Sequence, residues 1–139
     1  MSIHYSAAAT TIGGRNGHVD SADGLLHFDL SVPKEMGGPG KPGTTNPEQL
    51  FACGYSACFG SAIDFVARQH KMTLSEVKVT ATVAIDMIEG TGFQLSATLT
   101  VSLPGLDREA AEKLVAEAHQ VCPYSKATRG NIVVDLVIA

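Results

Sequence analysis

The sequence predicts an α+β domain, with antiparallel sheet packed around a buried central helix and a second, peripheral helix. Three observations predict it. Two long segments alternate apolar and polar residues on either side of a Gly-containing turn. One long Pro-free segment is apolar nearly all round. A third segment is amphipathic at helical spacing and opens on an aspartate.

Each element has its own local signal. Leu26, Phe28, Leu30 and Val32 alternate with His27, Asp29 and Ser31, the pattern of a half-buried strand. Residues 33–45, PKEMGGPGKPGTT, hold four Gly and three Pro and read as a long loop, a length often tied to function. A helix then starts: Asn46 can cap, Pro47 suits the first helical position, and Gln49 can complete a capping box. Its run from Leu50 to Lys71 contains no Pro. As far as Ala62 it is apolar on every face, which predicts burial on all sides, against a partner chain if need be. Val77, Val79, Ala81, Val83, Ile85 and Met87 share one face of a strand; Phe93, Leu95, Ala97, Leu99, Val101 and Leu103 share a face of the next. Residues 89–92, EGTG, join the two into a hairpin. Asp107 caps the amphipathic helix carrying Ala110, Ala111, Leu114, Val115 and Ala118, and Ile132–Ile138 is a last strand.

Composition narrows the function. The 139 residues fit one domain over 1–139; 45% are hydrophobic and 17% charged, a globular balance. A net charge of −4 gives no footprint for nucleic acid and no polybasic patch for a membrane surface. The N-terminal residues lack the pattern of a secretory signal, and no stretch reads as long and apolar enough to span a bilayer. The expectation is a soluble, cytoplasmic protein.

The three cysteines carry the chemistry. In a reducing compartment they are metal ligands, catalytic groups or inert core residues. Cys58 lies within the apolar helix, where burial would raise its pKa and silence it unless a cation arrives from elsewhere. Arg15, in the turn GGRNG, is one candidate; an exposed surface arginine is the plainer reading. Cys122 precedes Pro123 and would sit at a helix N-terminus, which favours thiolate. Glu48 is accounted for by the first helical turn alone, and Phe51, Phe59 and Tyr124 by a core. A zinc site built on His119, Cys122, Cys53 and Cys58 is disfavoured. No CxxC pair is present, and positions 53 and 58 diverge by about 140° around a helix. No GxSxG or Walker pattern appears either.

The blocks PGTTNPEQLFACGYSACFGSA (42–62) and VCPYSKATRGNI (121–132), with the N-terminal GGRNGH turn, closely resemble the organic hydroperoxide resistance proteins (Ohr) of the OsmC/Ohr superfamily. The likeness runs over essentially the whole chain. It implies an OsmC-like fold, an intertwined homodimer with two sites at the subunit interface, and a thiol peroxidase with no haem, metal or other cofactor. By motif position it implies Cys58 as the peroxidatic cysteine and Cys122 as the resolving one. Arg15 would activate the thiolate and the peroxide, and Glu48 would orient Arg15. The implied substrate is an organic or lipid hydroperoxide, its tail received among Phe51, Phe59 and Tyr124. The implied reductant is a dihydrolipoyl group on a lipoylated protein, or another dithiol. Cys53 and Lys126 depart from the family pattern without touching these positions. A redox-sensing or hydrophobe-binding module that does not turn over is the rival reading. One spacing stands out: ten helical residues between Glu48 and Cys58 span about 15 Å. Either the helix has not begun at Glu48, or the two groups of one site come from different chains, with small Cys53 and Gly54 at the crossing. The second is favoured.

Overall fold

The structure is a computed structural model and describes residues 2–139. The chain divides into two compact units, one ending at Leu50 and the other comprising Phe51–Ala139.

The first unit is a three-stranded antiparallel sheet, β1 (Ala9–Ile12), β2 (His18–Ser21) and β3 (His27–Asp29), in that order. The turn between β1 and β2 needs two consecutive left-handed residues, and glycine supplies both: Gly13 has φ 89° and Gly14 φ 58°. The short 3-10 turn Gly14–Asn16 that follows carries Arg15. Leu30 continues past β3 into a single bridge with Thr45. The strand expected from Leu26 to Val32 is therefore shorter than its pattern, and Leu26 (52% exposed) and Phe28 (39%) are not half-buried. Leu30 alone of that apolar set is buried. The Gly/Pro-rich segment is a loop as expected, with a 3-10 turn at Lys34–Met36.

Helix α1 runs without a break from Pro47 to Gln69. Asn46 caps it: its Oδ1 accepts from the Gln49 amide at 2.8 Å. The reciprocal half of the capping box is absent, because the Gln49 side chain accepts from the Thr45 hydroxyl at 2.6 Å instead. Burial on every side is not what the helix shows. Tyr55, Phe59, Ala62, Ile63, Val66 and Ala67 form one buried stripe at helical spacing, while Cys53, Ala57, Ser61 and Phe65 are exposed. Nor does the expected lack of a membrane-length segment hold by composition: α1 has 23 residues and a mean hydropathy of 1.4 over its most apolar window. Its apolar stripe packs into a protein core, which accounts for the same sequence.

In the second unit β4 (Lys78–Ile88) and β5 (Gly92–Ser102) form the expected hairpin, paired from Lys78↔Ser102 to Ile88↔Gly92. Helix α2 (Arg108–Val121) is capped by Asp107, whose Oδ1 accepts from the Ala110 amide at 2.8 Å. It buries Ala111, Leu114, Val115 and Ala118. A third helix, α3 (Pro123–Thr128), follows at once. The last strand, β6 (Val134–Ile138), pairs with β5 in parallel, so this sheet is mixed, not antiparallel throughout. The reason is connectivity: α2 and α3 carry the chain back before β6 begins, which is what a parallel neighbour requires. Leu99 and Val101 of β5 are fully buried with Ile63, Val66 and Val115 in one core. Each such side chain contributes about 1.5–3 kcal/mol by leaving water.

Candidate active site

Cys122 occupies a joint. Its amide donates to the Ala118 carbonyl at 2.9 Å and closes α2, and its own carbonyl accepts from the Lys126 amide at 2.9 Å as α3 opens. Pro123 takes the first helical position, where no amide is needed. Cys122 itself is fully buried, and the joint aims its thiol at Cys58, half-buried on α1, with 3.6 Å between the sulfurs. Both cysteines are free. Residues 64 apart in sequence thus form a thiol pair close enough to join by a small side-chain movement. Cys53 is exposed.

The surroundings of Cys58 oppose its ionisation. Burial pushes the thiol above its ordinary range; the Tyr124 backbone N–H acts the other way, and the neighbouring Cys122 thiol adds to the rise.

Arg15 and Glu48 form a forked pair, Nη1 to Oε2 at 3.0 Å and Nη2 to Oε1 at 2.7 Å. Glu48 lies in the first turn of α1, so the helix has begun there, which removes one of the two explanations for its distance from Cys58. The Arg15 guanidinium holds the Glu48 carboxyl below the usual carboxylate range, and Glu48 in turn raises Arg15. The pair is fixed in direction yet partly open to water: the arginine side chain is 36% exposed and the glutamate 13%.

Of the expected pocket residues, Phe51 and Tyr124 stand together, ring centres 6.2 Å apart, and line a cavity of about 430 Å³ with Leu95, Ala127, Thr128 and Ile132. Phe59 does not line it. It is fully buried, edge-on to Tyr55, and belongs to the core. Gly54 serves Tyr124: a Cβ there would meet its hydroxyl at 2.8 Å and its ring at 3.1 Å. Its smallness is used within the chain.

Sequence reasoning missed a buried polar chain behind the thiols. The Tyr55 hydroxyl lies 2.8 Å from Ser125 Oγ and 3.2 Å from Thr128 Oγ1, and Ser125 Oγ lies 2.8 Å from His119 Nδ1. Ser125 and Thr128, three apart on α3, were the available signal. Burial, helped by Arg129, lowers the His119 pKa and so favours its neutral ring. Among the described residues no buried side-chain polar atom lacks a partner. His119 thus closes this chain through its Nδ1.

A family model described as OsmC-like protein matches residues 38–137. An organic hydroperoxide resistance protein from Xanthomonas axonopodis pv. citri is 51% identical over 138 residues, covering 99% of this chain and 96% of that protein. The crystal structure of an organic hydroperoxide resistance protein from Legionella pneumophila superposes with a TM-score of 0.93 at 49% identity, covering 99% of both chains. That of OhrB from Bacillus subtilis gives 0.89 at 45% identity, covering 97% of this chain and 98% of the other.

Proposed function

The chain belongs to the OsmC-like family, in its organic hydroperoxide resistance branch, and from that membership we propose that it is a cysteine-based peroxidase that reduces organic hydroperoxides to alcohols. The observation that carries the reading is the free Cys58–Cys122 pair, 3.6 Å between sulfurs.

The Cys58 thiolate attacks the outer peroxide oxygen. An S–O bond forms, the O–O bond breaks, and the alcohol leaves with a proton; Cys58 is oxidised to sulfenic acid by the two electrons the peroxide accepts. Cys122 then attacks that sulfur, an S–S bond forms and water leaves. A dithiol, of the dihydrolipoyl kind, restores both cysteines by exchange. No resident cofactor is called for. Phe51, Tyr124 and the apolar cavity beside them receive the alkyl tail.

Because burial raises Cys58, the reading needs a cation, and Arg15 is the one proposed: a fixed charge that favours thiolate, with donors to spare for the peroxide. Glu48 sets its direction. We assign the work to a homodimer in which the Arg15–Glu48 pair of one protomer serves Cys58 of the partner subunit. The unbroken helix between Glu48 and Cys58 supports this arrangement. The compartment is the cytoplasm, where dithiols are maintained.

Turnover with an organic hydroperoxide and lipoyl dithiol tests the reading. Cys58→Ser should abolish it. Cys122→Ser should consume one equivalent of peroxide and then overoxidise, and Cys53→Ser should stay active. Multiple turnovers in the native chain exclude a binding or sensing module; equal loss in Cys53→Ser and Cys58→Ser would sink the assignment. Mixed dimers of Cys58→Ser with Glu48→Ala should regain one intact site if two chains share it, and none if they do not.

A further inference from the structure

The strands β2 and β3 each carry the pattern His-x-Asp: His18-Val19-Asp20 and His27-Phe28-Asp29. Alternation puts the His and Asp of each strand on one face. The register sets His18 opposite Asp29 and Asp20 opposite His27. Two imidazoles and two carboxylates therefore form a square at the surface, each ring facing a carboxylate across the ladder. The opposite face of this ribbon pairs Val19 with Phe28. On the third strand the neighbour of His18 is Ile12, which has no charge.

We propose that this square is a binding site for a divalent first-row transition ion such as Zn²⁺, held by His18 Nε2, a ring nitrogen of His27 and a carboxylate oxygen of Asp20, with Asp29 orienting His18. The ligand atoms of His18, Asp20 and His27 all lie within 4.8 Å of one another. Tetrahedral zinc with bonds near 2.0–2.1 Å holds its ligands about 3.3 Å apart, a difference that side-chain rotation closes. The His18 ring already has the needed orientation. Its Nδ1 is 2.8 Å from Asp29 Oδ1, and its Nε2 faces Asp20 at 3.2 Å. A carboxylate on the far nitrogen is the usual outer support of a metal-bound histidine, fixing its tautomer. Two imidazoles and a carboxylate suit zinc, nickel or copper and leave one position to water.

The ion would act as a clip. It would tie β2 to β3 in a unit that buries little of itself, three residues from Arg15. It takes no part in the peroxidase chemistry, so the inference stands or falls apart from that reading.

The test is a Zn²⁺ titration of the untagged, full chain, followed by calorimetry and by the imidazole ¹⁵N resonances. Zinc taken up by the thiols serves as the background common to all variants. The native chain should bind one more equivalent than His27→Ala, with the His18 and His27 resonances shifting and that of His119 unmoved. Asp29→Asn should keep the stoichiometry and weaken this equivalent by about 10–100-fold. The denaturant midpoint and circular dichroism of metal-free His27→Ala should match those of the metal-free native chain, showing that it folds. Equal stoichiometry in the native chain and His27→Ala, or saturation with the His18 and His27 resonances unmoved, would overturn the site.

Discussion

The segment up to Leu50 and the segment Phe51–Ala139 handle water differently. In the first, Leu30 and Ser31 are the buried residues among those described, and its order comes from turns, a short sheet and charge pairs such as Arg15–Glu48. The second holds the whole apolar core, with the Cys122 thiol inside it and the Cys58 thiol packed against it. A guanidinium and a carboxylate keep their charge cheaply where solvent reaches them. A thiol kept dry is protected from stray chemistry but hard to ionise. The proposed reaction needs both conditions at one sulfur, and they belong to separate segments of the sequence.

The comparison can be broken by mutation. Leu99→Ala, in the core of the second unit, should cost about 2–5 kcal/mol in denaturant unfolding; a cost below about 1 kcal/mol would deny that core its role. Tyr55→Phe strips the hydroxyl that Ser125 and Thr128 share, and should cost about 1–1.5 kcal/mol. It should also slow the Cys58–Cys122 closure more than the first attack on peroxide, seen by rapid quench. Asn46→Ala, in the first unit, removes one cap and should cost about 1 kcal/mol.

Acid should separate the two units. His119 has a folded pKa below its ordinary value near 6.5, so the unfolded chain takes up the proton more readily. Its contribution is complete above that value and is lost as pH falls below it. Glu48 also has a lowered pKa, so its contribution is present above the ordinary carboxylate range and is lost further into acid, through the depressed value. Denaturant midpoints across pH should drop in two windows, with Glu48→Gln flattening only the more acidic. The smallest effect on stability belongs to Arg15→Lys, under about 1 kcal/mol because the pair is partly exposed. Turnover should nonetheless fall, since lysine cannot make the fork. An unchanged rate would remove Arg15 from the reaction.

Legibility followed the range of the signals. Asn46-Pro47, Asp107 and the alternation on either side of Gly90 are local statements, and the helix starts and the long hairpin follow them. The parallel pairing of β6 is not local: nothing within Val134–Ile138 tells which neighbour it takes. Helix α1 is apolar on faces that its own chain leaves open, because a pattern records apolarity and not what covers it. Phe51 and Phe59 read alike in sequence, and packing put one at a cavity and the other in the core. Likewise Cys58 and Cys122 were named through resemblance; their approach rests on the joint between α2 and α3, which spacing does not announce. The paired His-x-Asp pattern was legible, but only the β2–β3 register makes it a square.

The separation of the two thiols along the chain has a consequence in time. Cys58 leaves the ribosome 64 residues ahead of Cys122. At roughly 5–20 residues per second that is a delay of roughly 3–13 s. Through that interval the nascent helix carries a cysteine with no partner thiol, and the β5 residues that bury its stripe arrive only partway through. A peroxide that reached the unfinished chain would leave a sulfenic acid with nothing to close on, exposed to further, irreversible oxidation. The chain is therefore most vulnerable to the molecule it is proposed to destroy while it is being made. Under peroxide stress, irreversibly oxidised Cys58 should accumulate in chains labelled during synthesis before it does in mature ones.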